Sequence, residues 1–213
     1  MDGQGDAMPD YHDRVNMLIG EHCSVDALNA RLQGESDAIS IMDDFSGVPD
    51  MELWKSFCDA WNRECFDRAG VRREITCTRF GAGHRAALHL YSADKAHLFF
   101  GWLASFRTAV VRGDTDMASQ YASYRGLGLV GAGPFLFSLL LYLHAPECYF
   151  PYRRSYALAL ATIMGEEAAS LTPFSPESYA LYCKGCSAFR ETFNVLPQEV
   201  DFLLREVARE GTA

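Results

Sequence analysis

The chain has 213 residues, of which 49% are hydrophobic and 13% aromatic, with seven cysteines and a net charge of −9. That much apolar material suits one large domain with a sizeable core and excludes disorder of the whole chain. An odd number of thiols behind an acidic, polar opening (residues 1–13) argues against a disulfide-stapled secreted domain and for a reducing, cytoplasmic setting.

Residues 1–50 carry eleven Asp and Glu against Arg14 and Arg31, so the whole charge imbalance sits there. They read as an acidic N-terminal arm, partly ordered, ahead of a mainly helical domain over 51–213. Residues 1–10 lack the apolar content to fold. One or two short helices are expected around Val15–Ile19 and Val25–Leu32. The stretch 34–50 reads as a loop or short strand anchored by Ile39, Ile41 and Phe45, and Gly47–Asp50 as a turn into a helix. Within 51–69, Trp54, Phe57, Cys58, Trp61 and Cys65 recur at helical spacing, and Gly70 is a natural stop.

Two strands, 74–80 and 85–91, are expected from Thr76, Cys77, Thr78 and Phe80 and from Leu88, Leu90 and Tyr91, joined as a hairpin through Gly81–His84. Ser92 then caps a helix over 93–111 whose apolar face is Leu98, Phe99, Trp102, Leu103, Phe106 and Val110. Further helices are expected at 115–125, 134–144, 153–165, 175–193 and 197–209, the last with Pro197 in its first turn. The class is therefore α+β, predominantly α: a helical bundle with one short β-hairpin, packed around Trp54, Trp61, Trp102, Phe106 and Leu139. Leu127–Ala145 is apolar, but Gly128, Gly131, Gly133 and Pro134 break it, so a glycine turn entering a buried helix fits better than a membrane span.

The segment with the most chemical content is Leu129-Val130-Gly131-Ala132-Gly133-Pro134-Phe135. Glycines permit a tight turn and close approach, and the free N–H groups that open the next helix suit a phosphate oxygen. The same residues would equally serve only to turn the chain between packed helices. Residues 71–154 hold ten Lys and Arg against five acidic residues. Arg125, Gly131, Gly133, Arg153 and Arg154 are the candidate nucleic-acid-binding set.

This segment resembles the helix-hairpin-helix of DNA repair glycosylases. Their catalysis is not implied, because Phe150-Pro151-Tyr152-Arg153-Arg154-Ser155 holds no carboxylate where that family places an Asp, and the hairpin helix holds no Lys. A broader resemblance, over about residues 95–209, is to helical modules of modification-dependent restriction GTPases and related defence proteins. It rests on the Gly-x-Gly-Pro helix, on His144-Ala145-Pro146-Glu147-Cys148-Tyr149-Phe150-Pro151 and on Leu196-Pro197-Gln198-Glu199-Val200-Asp201-Phe202. It implies a non-catalytic nucleic-acid-associated module of a defence or restriction-related system.

Cys183-Lys184-Gly185-Cys186 has the spacing of half a zinc site, but the other ligands would have to be His144 with Cys148 or His22 with Cys23, so two core thiols are the simpler reading. Gly81–Arg85 lacks the Gly-Lys-Ser/Thr ending of a phosphate loop, and His84 and His89 make no metal spacing. No catalytic residue, metal or cofactor is assigned. The alternative function is a protein-interaction or inhibitor module acting through its acidic arm, which would mimic a nucleic-acid backbone or dock on a basic partner. Separately, residues 1–50 are expected to fold back, at least partly, onto the basic region 71–154 and screen the phosphate surface.

Overall fold

The computed structural model describes residues 11–23, 25–62, 93–113, 116–129 and 133–210. Its elements are α1 (Tyr11–His22), α2 (Val25–Asp43), α3 (Met51–Asn62), α4 (Ala93–Arg112), α5 (Met117–Gly126), α6 (Pro134–His144), α7 (Arg154–Met164), α8 (Ala168–Leu171), α9 (Pro176–Phe193) and α10 (Pro197–Glu210). Among the described residues there is no strand, so the expected α+β class is corrected to α. The expected hairpin at 74–91, with Gly81–Arg85, His84 and His89, lies outside the described residues, as do residues 1–10 and 63–70.

Part of the β expectation fails for a reason visible in α2. Ile39 and Ile41 suggested extended chain. They sit instead in a helix whose buried stripe is Arg31, Gly34, Glu35, Ala38 and Met42, at steps of three and four residues. Tertiary burial of that stripe outweighs the β-branched residues. In α4 the expected face is also rotated slightly. Leu98 is 56% exposed and Phe100 is fully buried, because Phe100 packs on Phe45 with ring centroids 5.5 Å apart.

Helix ends follow local chemistry. The Asp50 carboxylate accepts from the Leu53 N–H at 2.8 Å and opens α3. The Asp116 carboxylate accepts from the Ala118 N–H at 3.1 Å and opens α5. Ser175 and Ser178 form a reciprocal capping box at the start of α9. Gly165 (φ +68°) ends α7 in the left-handed region that favours glycine.

The central helix is α6, buried on every side from Phe135 to Leu143. Helix α2 packs on α3, α6 and α10, while α7 packs on α1, α8, α9 and α10, and α4 packs on α5 and α6. Gly185 lets α9 approach α7 closely, since a Cβ there would lie 3.0 Å from Leu160 Cδ2.

One buried polar network ties the two ends of the chain to α6. Arg31 is fully buried. Its Nε donates to Glu35 Oε1 at 2.8 Å and its Nη1 to Asp201 Oδ1 at 2.6 Å. The Tyr142 hydroxyl donates to Glu35 Oε1 at 2.6 Å, and Gln198 Nε2 donates to Glu35 Oε2 at 3.2 Å. Removing one member strands buried charge, which costs about 3–5 kcal/mol, whereas replacing the whole set by apolar residues costs far less. Arg31→Met should therefore lower unfolding free energy in urea by about 3–5 kcal/mol, and Arg31→Met with Glu35→Leu and Asp201→Leu should recover much of that loss.

Candidate anion-binding pocket

Helices α6 and α7 both begin at the same place on the surface. Between their first turns lies a pocket of about 550 Å³ lined by Gly133, Pro134, Phe135, Tyr152, Arg153, Arg154, Ser155, Pro173 and Phe174. Gly133 is the extended residue before α6, and Arg153 the extended residue before α7. Among the described residues no side chain caps the first turn of either helix, and the opening residues of both helices line the pocket.

The turn that delivers the arginines is held from three helices. The Tyr152 N–H donates to Ser138 Oγ of α6 at 2.8 Å, and Ser138 in turn donates to the Phe135 carbonyl at 3.0 Å. The Tyr179 and Tyr182 hydroxyls of α9 donate to the Phe150 and Pro151 carbonyls, each at 3.0 Å. The Tyr152 hydroxyl donates to the Leu171 carbonyl of α8 at 3.0 Å. Burial pushes the Tyr179 and Tyr182 hydroxyls well above their usual range, so they stay protonated as donors. On the other side, the Tyr124 hydroxyl donates to the Gly133 carbonyl at 3.3 Å, fixing the entry to α6.

The Arg153 guanidinium lies 4.4 Å from the centre of the Phe135 ring, and its Nε is buried without a hydrogen-bond partner. Arg154 is exposed. Phe174 is half-buried, packed at 4.8 Å against both Tyr121 and Tyr152. Burial raises the Tyr152 hydroxyl, and the positive charge of Arg154 opposes that. Among the described lining residues there is no carboxylate or histidine, so none of them repels an anion.

Of the five candidate residues, Gly133, Arg153 and Arg154 are brought together here. Gly131 lies outside the described residues. Arg125 is exposed on α5 and does not line the pocket, but it acts on Tyr121, whose burial-raised hydroxyl it lowers, and Tyr121 packs on Phe174. Among the described residues, none of the three arginines is held in an ion pair. Sequence reasoning missed Phe135, Tyr152, Ser155, Pro173 and Phe174.

Cys183 and Cys186 both lie on the buried face of α9, as core thiols. Burial pushes Cys183 up to about 12 and Cys186 well above its usual value. Among the described residues, no three His, Cys, Asp or Glu side chains come together as a metal-binding group, and the side chain of His22 lies outside them. Cys148 is exposed. Iodoacetamide at neutral pH should alkylate Cys148 in the folded protein and reach Cys183 and Cys186 only after denaturation, as peptide mass spectrometry would read out.

His144 is half-buried at the end of α6, with its Nε2 unpartnered. Burial first, then the Arg107 charge, lower its pKa from 6.5, against an opposing pull from Asp43. The folded state therefore binds fewer protons here than the unfolded state. The stability from this group is fully present above 6.5 and is lost as pH falls below that value and through the lowered folded pKa. Wild-type unfolding free energy should drop on acidification below that point by up to about 1.4 kcal/mol per pH unit more than in His144→Gln.

Set beside protein-family models, curated proteins and solved structures, the chain matches none of them, so the reading of the pocket rests on its geometry.

Proposed function

We propose that the protein is a non-catalytic nucleic-acid-associated module that holds a backbone phosphate at the pocket between α6 and α7. The observation that carries this is the convergence of Gly133, Arg153 and Arg154 on one concave site with two uncapped helix starts. Arg154 supplies an exposed charge, Arg153 a guanidinium stacked on Phe135, and Arg125 a further cation beside the aromatic rim. The roles are binding roles: the described lining residues offer donors and positive charge.

The test uses the full chain, because α2 supplies Arg31 to the core. Anisotropy of a fluorescein-labelled oligonucleotide should show binding at low salt that weakens steeply as salt rises. Arg153→Gln with Arg154→Gln should flatten the salt dependence by about 0.7–0.9 in log–log slope for each phosphate that is no longer neutralised. Absence of binding by the wild type at low salt, or a double variant that binds as the wild type does, overturns the proposal.

A further inference from the structure

A phosphate group alone needs neither the size nor the walls of this pocket. At about 550 Å³ it lies in the range of cavities that enclose a small organic ligand. Phe135, Tyr152 and Phe174 give it aromatic walls, with Pro134 and Pro173 beside them. Phe174 is half-exposed, and its ring is held on two sides by Tyr121 and Tyr152, both at 4.8 Å. Arg153 lies against Phe135 at 4.4 Å, so its guanidinium sits among aromatic walls as a planar cation. Planar cations and half-open rings are the surfaces on which nucleobases stack, and every base has a face to offer them.

A base inside a duplex is covered on both faces and paired along its edge. It cannot enter a concave site unless it is unpaired or turned out of the helix. The positive groups lie at the same site: Arg154 and the opening residues of α7 line the same pocket as Phe135, Tyr152 and Phe174. Resting on the phosphate reading of this pocket, we infer that its ligand is an unpaired nucleotide of a single strand, with the base stacked in the pocket against Phe174 and Arg153 and the phosphate at the start of α7.

Three labelled probes test this with the full chain at low salt: a twelve-nucleotide single strand, its duplex, and an abasic strand with the same backbone. The single strand should bind about tenfold or more tighter than either other probe, the scale of one base–aromatic stack. Phe174→Leu should bring single-strand binding down to the abasic level, while Phe174→Tyr retains the preference. Equal binding of the single strand and the abasic strand overturns the inference and leaves the phosphate reading standing. So does a duplex that binds as well as the single strand. Failure of all three probes to bind overturns both. Should Phe174→Leu melt early, the three-probe comparison on the wild type still decides.

Discussion

A fully buried guanidinium must be paired, and that requirement organises this fold. Arg31 reaches Glu35 one turn along its own helix and Asp201 across 170 positions of sequence. Leaving a charge unpaired at that depth would cost about 3–5 kcal/mol, a large share of the stability of an average domain, so α2 and α10 are held at a fixed separation. Tyr142 and Gln198 complete the network on Glu35. The set holds two carboxylates against one guanidinium, and the added donors from Tyr142 and Gln198 spread the excess negative charge over hydrogen bonds.

Tyr142 links that constraint to the pocket. It belongs to α6, whose first residues, Pro134 and Phe135, line the candidate site some two turns away. Ser138 sits between them and receives the Tyr152 N–H. The helix held at one end by the Arg31 network thus carries at its other end the floor on which Arg153 rests. The Tyr179 and Tyr182 hydroxyls of α9 hold the same turn by its Phe150 and Pro151 carbonyls, and its own Tyr152 hydroxyl donates to the Leu171 carbonyl of α8. A loop restrained by side chains from α6 and α9 and by a backbone carbonyl of α8 presents its arginines with little further entropy to lose on binding.

The acidic front of the chain is structurally divided. Glu35 is buried in the network, whereas Asp13, Glu21, Asp26, Asp43 and Asp44 are exposed. Apolar residues on the same helices pack inward, with Val15, Leu18 and Met42 buried. Asp43 pairs with Arg107 of α4 across the surface. Among the described residues, contact of residues 11–43 with the rest of the molecule is carried by apolar burial, by the internal Arg31 network and by the surface pair of Asp43 with Arg107.

Local chemistry alone determined most of the helices. The apolar periods of α3 and α4, the proline at the start of α6 and α10, and the glycine after α7 are written within one or two turns of chain, so they are legible without partners. The helix starts bearing Gly133, Arg153 and Arg154 were legible for the same reason. The extension of α2 to Asp43 was not, because its buried stripe includes Arg31 and Glu35, and a reading by hydropathy assigns charges to solvent. Nor was the pocket. Its two helix starts lie about 20 positions apart, and Phe174 a further 20 along, in a stretch with no periodicity of its own. Tertiary structure decides that these three segments meet, because hydroxyl-to-carbonyl bonds and aromatic packing between distant turns depend on spatial approach, which hydropathy periods do not encode.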